Sequence, residues 1–539
     1  MERVRRDNAN AQEKFLNDPE RIGTGMSEYI ALGDWRFFFY DRDRTASITP
    51  DQVAVAAKTY FRRDNRTTGM FVPEDEPQRA DIAAAATIQE VMKDFKPRQN
   101  TTTAEAFDPS PANIDQRTMR LQVGGLAVAL LPKKNKGEAV NVAIRLRWGD
   151  EKNLFGKSWV SSMTASLLTA GTTRYSRAQL ADEMSRLKMS GGLFGFETTQ
   201  ANLSQALALV GHVMRNPVFP ESEFAQLKKQ LLASLESSRN EPGSLAGMAM
   251  ALHFNRYRAG DIRAAETIEQ SIEGINSVSL AEVKSFYQQF YGASKGEVAV
   301  VGSFEPQAVT QQIDQAFAGW VSRTPYARMT PVYSDIAPVR KTVNTPDKEN
   351  GVYLARLDVP INEESADYPA LLLANYLLGG GAGLDSRLMQ RVRQKDGLTY
   401  GVYSQLSVGS IDLDGRLTIS ATAAPQNMAK VEIAVATELK RIIEEGFSAS
   451  EVAGAQSGIA QQRLQGRTRD SNVAGGWIQN LYLKKTFKRS GELDEKIAKL
   501  NEAEVNAAFV KYINPGKLSV VIAMDEAKAV SATEAAKTP

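Results

Sequence analysis

A permanent cation and a neutral phenol stand seven residues apart, Arg393 and Tyr400, in the stretch SRLMQRVRQKDGLTYGVYS from Ser386 to Ser404. A guanidinium presents five donors in a fixed fork that matches a carboxylate or a row of peptide carbonyls. A phenol with a pKa of about 10 keeps its proton at neutral pH, so it can donate to an oxygen that gains negative charge. The pair therefore suits the holding of a substrate main chain and the stabilisation of an oxyanion. Without context, a solvated helix-end cation and a core aromatic would account for the same two residues, so the elements that carry them have to decide.

Leu384, Leu388 and Val392 recur every fourth residue and predict a short amphipathic helix that ends near Arg393. Gly397 is placed as its C-cap. From Leu398 the alternation predicts a strand, with Leu398, Tyr400 and Val402 on one face and Thr399, Gly401 and Tyr403 on the other. A helix over Pro369 to Leu378 precedes the run Gly379, Gly380, Gly381. That run lacks the lysine of a phosphate loop and follows a helix instead of a strand, so it reads as a cap with close backbone approach.

The same chain repeats itself. The segments ITPDQVAVAAKTYF, VSLAEVKSFYQQFY and LNEAEVNAAFVKYI align without gaps, placing Val53, Val283 and Val505 each seven residues before an aromatic. Thr49/Gln52, Ser279/Glu282 and Asn501/Glu504 stand at capping-box spacing. A strand is expected after each, over Arg66 to Val72, Glu297 to Gly302 and Lys517 to Met524. A second repeat pairs the helix from Asn202 to Met214 with that from Asn427 to Ile442, the latter capped by Gly446, and Ser448 with Glu451 opens the next helix. The pattern predicts an α+β fold of repeated two-layer domains, β-sheet packed with helices, in two complete copies plus the end of a third. The boundaries are read as 1–72 for the end of a domain whose start lies upstream, 73–115 for a linker rich in Pro, Thr and charge with a short helix over 83–95, 116–335 and 336–526 for the complete copies, and 527–539 for a disordered tail.

With 539 residues the chain is too long for one core. Lys plus Arg number 65 against 63 for Asp plus Glu, a balance that gives no footprint for nucleic acid. The longest apolar stretch, Tyr368 to Leu378, is too short to span a bilayer, and the opening MERVRRDNANAQEKF is too charged for a secretory signal. There is no cysteine, and the two histidines, His212 and His253, each sit among apolar neighbours and read as structural. The aromatic cluster Trp35, Phe37, Phe38, Phe39 and Tyr40 is assigned to core packing.

The wording SRLxQxVRxKxGLxYxVYS resembles the arginine/tyrosine motif in the C-terminal half of the pitrilysin/insulinase family, the inverted-zincin metallopeptidases. The resemblance covers nearly all of the chain apart from residues 73–116 and the tail. It implies that Arg393 holds substrate and Tyr400 donates to the oxyanion of a tetrahedral intermediate, beside a substrate-binding loop at Gly379, Gly380 and Gly381. The zinc of such enzymes lies in a different domain, on a helix carrying HxxEH before a Gly-Thr pair, where the imidazoles bind metal and the Glu activates water. Counting back from Gly171, those five positions hold Ser162, Met163, Thr164, Ala165 and Ser166. The later acidic ligand has only Glu236 as a counterpart. No zinc ligand set is expected in this chain, so the resemblance implies a zinc-free, substrate-binding half that is inactive alone. Its expected partner is an HxxEH-bearing N-terminal half or a zinc-bearing subunit, its substrate a peptide or unfolded chain. The resemblance also implies export to the periplasm. A non-catalytic scaffold subunit of a heteromeric complex is the alternative, and a stand-alone peptide-binding module is a third.

Overall fold

The computed structural model describes residues 2–17, 19–70, 87–96, 104–331, 333–381 and 384–529. Its frame is two sheets. The first comprises β1 (Met119–Val123), β2 (Leu126–Pro132), β3 (Ala139–Leu146), β4 (Ser190–Gly192), β5 (Gly195–Thr199) and β6 (Gly296–Gly302), in the spatial order β1-β2-β6-β3-β5-β4. The second comprises β7 (Arg340–Asn344), β8 (Gly351–Val359), β9 (Gly401–Ser407), β10 (Gly415–Ala423) and β11 (Ser519–Met524), in the order β7-β11-β8-β10-β9. In both, the closing strand returns from the helices to lie parallel to an early strand and antiparallel to its other neighbour. Between the fourth and closing strands of that shared order run five helices in each copy, from Gln200–Arg215 to Leu280–Phe290 and from Met428–Glu445 to Glu502–Tyr512. The fold is α+β, and the duplicated pattern read from the sequence is present in it.

All seven residues of β6 are buried, which is why GEVAVVG shows no polar alternation. One face of the first sheet, through Val128, Leu130, Val142 and Val300, packs on the helices of its own copy. The other face, Ala129, Leu131, Ala299 and Val301, is covered by Val473, Ala474 and Trp477 from the Asp470–Leu483 helix of the second copy. The second sheet is covered in return: Val521, Ala523, Val352 and Leu354 pack against Ala246, Ala249, Met250 and Phe254 on and beside the Pro242–His253 helix of the first copy. Each copy thus lends the other a helix. Polar contacts fix the exchange. Lys133 Nζ lies 2.6 Å from Asp470 in a nearly dry setting, and Asp115 accepts from the Thr486 hydroxyl at 2.6 Å and from the Phe487 and Lys488 amides at 2.8 Å.

The N-terminal part forms the helices Glu2–Asn17, Pro19–Ala31, Phe37–Ser47 and Pro50–Tyr60. The first leans on the first copy through polar contacts, among them Arg6 Nε to Ser185 Oγ at 2.9 Å and Lys188 Nζ to Glu13 at 2.6 Å. The aromatic cluster packs as expected around Phe38, which stacks on Phe15 and meets Tyr29 edge-on, but Trp35 is exposed.

Three expectations need correction or restriction. Residues 66–70 pair with no strand, since no sheet lies beside them to take their hydrogen bonds; residues 71–72 of that expected strand fall outside the described residues. The linker helix is shorter than expected, Ile88–Val91, and the positions 83–86 fall outside the described residues, as do 97–103 of the linker and 530–539 of the tail. Leu384, assigned to an apolar stripe, is exposed. The helix it was to begin winds instead as a π-turn over Met389–Lys395, which turns Met389 inward beside Leu388 and Val392. Among the described residues, no helix is long and apolar enough to cross a membrane.

Candidate functional site

The Arg/Tyr stretch is held by a layer of buried contacts. Upstream, the Tyr368–Asn375 helix passes into a second π-turn, Tyr376–Gly380. The three glycines end it where backbone meets backbone. A Cβ on Gly379 would come within 2.8 Å of the Ser404 nitrogen, and one on Gly381 within 2.8 Å of the Tyr376 carbonyl oxygen. The Ser404 hydroxyl donates to the Asn375 carbonyl at 3.3 Å. Gly379 makes the expected close approach against the edge strand β9, while Gly380 and Gly381 close on Asn375 and Tyr376 of their own turn.

The second π-turn is fixed at its start by Arg387, whose guanidinium lies 2.5 and 2.8 Å from the two Glu451 oxygens and 3.5 Å from Glu438. Its buried side seats Met389 and Val392, and the Val402 amide donates to the Met389 sulfur at 3.4 Å. That contact covers an outward N–H of the β9 edge, which would otherwise invite pairing. At the end, Gly397 takes a φ of +63° and donates to the Arg393 carbonyl at 3.1 Å, while the Leu398 amide reaches the Val392 carbonyl at 3.0 Å. This is a Schellman-type cap, as the glycine predicted.

Arg393 lies on the exposed side of the π-turn. Tyr400 is 91% exposed, one residue before β9. Neither side chain hydrogen-bonds or ion-pairs with another described residue, although Arg391 close by is paired with Asp396 at 3.4 Å. The alternation expected from Leu398 onward does not hold for Tyr400. Thr399 turns inward, its hydroxyl 2.5 Å from the Thr422 carbonyl and accepting the Gly401 amide at 3.1 Å. This local bond swings the chain before the ladder begins, so Val402 is buried while Tyr400 points to solvent. Tyr403, in β9, is a second phenol beside the pair. Its side chain is exposed, and its phenol lies over Gly401, where a Cβ would meet it at 2.7 Å. A second tyrosine in the stretch, that of VYS, was the available signal.

The five positions at which the resemblance would place HxxEH lie on the helix Ser158–Leu167. Met163 and Thr164 are buried, and Ser162, Ala165 and Ser166 face outward. The Ser166 hydroxyl donates to the Ser162 carbonyl at 3.0 Å. Small hydroxyls engaged with their own helix, with no imidazole or carboxylate among these five positions, do not fit zinc. His212 contacts the Thr172 hydroxyl at 3.2 Å, and burial, aided by the charge of Arg174, holds its pKa below the ordinary histidine value. His253 reaches the Ala337 carbonyl at 3.1 Å. Glu236 is paired with Arg239 at 2.7 Å. Among the described residues, no group of three or more His, Asp or Glu side chains is placed to hold a metal ion.

Residues 277–459, which include the glycine run, Arg393 and Tyr400, match the family profile of the peptidase M16 inactive domain. Over this third of its length the chain is similar to the M16 peptidases. The chain is 25% identical over 280 residues to a protein of Streptomyces coelicolor named an uncharacterized zinc protease, covering 50% of this chain and 56% of that one. A protein of the same description in Mycobacterium bovis is 25% identical over 269 residues, covering 49% and 58%. The chain thus spans little more than half the length of these M16 relatives. Among solved structures, the peptidase M16 inactive domain from Pseudomonas fluorescens superimposes with a TM-score of 0.66 at 21% identity over 76% of this chain and 97% of that one. The periplasmic protease PqqL of Escherichia coli aligns with a TM-score of 0.60 at 14% identity over 89% of this chain but 51% of its own. These structures share the fold.

Proposed function

We propose that this chain is the substrate-binding, zinc-free half of an M16 zinc metalloendopeptidase that cleaves peptides or unfolded chains. Arg393 holds the substrate main chain or a carboxylate. The Tyr400 hydroxyl donates a hydrogen bond to the oxyanion that forms at the scissile carbonyl. The observation that carries the reading is the pair itself: two strong donors left without internal partners on a scaffold of buried contacts that fixes their backbone. Donors kept for an external acceptor are what a preorganised site requires. The zinc and its ligands belong to an HxxEH-bearing half or subunit that closes over this one around the peptide.

The test is hydrolysis of a quenched fluorescent peptide by the purified chain with added zinc, alongside its zinc content, and again after addition of the HxxEH-bearing half. The account expects no bound zinc and no turnover from the chain alone, and chelator-sensitive turnover once the halves are combined. Chelator-sensitive turnover by this chain alone would overturn it. A scaffold role is the second reading, favoured by one relative: the Helicobacter pylori protein named a non-peptidase homolog is 20% identical over 327 residues, covering 60% of this chain. The combined assay separates the two, because a scaffold leaves turnover insensitive to Tyr400. We extend the same reading to a periplasmic location, in keeping with the description of PqqL; cell fractionation tests it.

A further inference from the structure

The outer face of the second sheet is only half covered. The Pro242–His253 helix packs on β11 and β8, and beyond it the side chains of β10 and β9 on that face stand open. Tyr403, Gln405, Ser407 and Thr422 are exposed, and Thr418 and Ser420 are half-buried. The register sets Ser420 opposite Tyr403 and Thr418 opposite Gln405, so these side chains form one polar surface. Hydroxyls and an amide of this kind suit the carbonyls and N–H groups of an extended peptide. At one end of the surface Thr422 pairs with Gly401, next to Tyr400.

At the other end Arg416 stands between Ser407 on β9 and Asp358 on β8, and there positive charge is in surplus. Arg356 spans both oxygens of Asp358, Nε to Oδ1 at 2.8 Å and Nη2 to Oδ2 at 3.0 Å, and Arg256 of the first copy donates to Oδ2 as well. With both oxygens taken, Arg416 keeps a loose contact, Nε to Oδ1 at 3.7 Å, and its side chain is 49% exposed. Asp414 is the other carboxylate near it, which leaves three guanidiniums against two carboxylates. Burial and then the charges of Arg356 and Arg256 hold the Arg416 pKa below the ordinary arginine value, against the pull of Asp358 and Asp414. Such a corner disfavours a further cation and favours an incoming anion.

We infer that Arg416, backed by Arg356 and Arg256, binds an acidic side chain of a peptide that lies extended along the open face of β10 and β9 toward Tyr400. The guanidinium fork gives that contact direction as well as charge. Arg416 and Thr422 are six residues apart on β10, about 20 Å of strand, so the acidic residue falls about six residues from the peptide bond held at Tyr400. The inference rests on the proposed function in taking Tyr400 as the scissile end; the carboxylate contact at Arg416 does not depend on it.

The test titrates the purified full chain, by fluorescence anisotropy at low salt, with a fluorescein-labelled unstructured peptide carrying two adjacent glutamates and with its glutamine and lysine counterparts. The glutamate peptide should bind roughly tenfold more tightly than the glutamine peptide, and the lysine peptide should bind most weakly. Arg416→Gln should erase the preference and leave both the affinity for the glutamine peptide and the melting of the chain unmoved, while Arg416→Lys should keep part of it. Equal binding of the glutamate and glutamine peptides, or a preference that survives Arg416→Gln, would overturn the subsite. For the spacing, p-benzoylphenylalanine is placed six residues from the glutamates, on either side in separate peptides, and one of the two should label residues 400–403. Labelling only elsewhere would overturn the extended path. If preference and label are both found but the chain gives no turnover with an HxxEH-bearing half, the functional reading falls and the subsite stands.

Discussion

Arg387 and Glu451 meet in a bidentate pair, Nε to Oε1 at 2.5 Å and Nη2 to Oε2 at 2.8 Å, joining the turn that carries Arg393 to the Ala449–Thr468 helix. Arg387 also faces Glu438, which is almost fully buried. Truncation by Arg387→Ala leaves Glu451 without its cation and Glu438 with Arg441 alone at 3.8 Å, and a broken pair of this kind costs on the order of 3 kcal/mol. Urea unfolding should show that loss, with local exchange protection falling first over residues 387–398. A change below about 0.5 kcal/mol would mean that the pair does not anchor the turn.

The same pair gives a pH dependence. Burial alone would raise the Glu451 pKa, but hydrogen bonds from Arg387 and from the Ser448 amide and hydroxyl bring it below its ordinary 4.5. A folded pKa below the unfolded one contributes stability that is present above pH 4.5 and lost as the pH falls through the folded value. Glu451→Gln keeps the capping chemistry and removes the charge. The variant should melt lower than the parent at pH 7, and the gap should narrow below pH 4.5. A gap of constant size across that range would contradict the assignment.

The exchanged helices predict that the two copies unfold together. Trp477 belongs to the second copy in sequence but is buried on the outer face of the first sheet. Trp477→Ala should cost about 3–5 kcal/mol and lower hydrogen-exchange protection in β2 and β6. Protection lost only within residues 340–524 would show that the helix does not support the first sheet.

Gly379 tests the glycine run. A Cβ there would press to 2.8 Å from the Ser404 backbone nitrogen, and overpacking of a fixed contact typically costs about 1–3 kcal/mol. Gly379→Ala should therefore reduce stability by that amount and disorder the β9 edge beside Tyr400. Thermal melts and amide exchange over 401–407 check it; an unchanged melt would mean that the backbone gives way freely.

Much of this was legible because the repeated signals are local. Capping boxes at Thr49, Ser279, Ser448 and Asn501 each span only four residues of sequence, and all four are formed. Gly397 declared its positive φ in the same way. The π-turns were not legible, since a period of 3.6 places Leu384 inward and cannot anticipate the extra residue that brings Met389 in its stead. Tyr400 was assigned the wrong face because a hydroxyl two bonds from the backbone, on Thr399, redirected the chain before the ladder began. The exchange of the Pro242–His253 and Asp470–Leu483 helices is a long-range choice of partner, and two apolar helices of similar composition give no sign of which sheet each will cover.

The central claim is that Tyr400 waits for an oxyanion supplied by substrate, and it is tested most directly by Tyr400→Phe in the enzyme assembled with its zinc-bearing half. The side chain is 91% exposed, so the variant should fold and melt like the parent. Loss of one oxyanion donor should lower kcat on the order of a hundredfold or more, with KM little changed. Full turnover by Tyr400→Phe in the assembled enzyme would contradict the account.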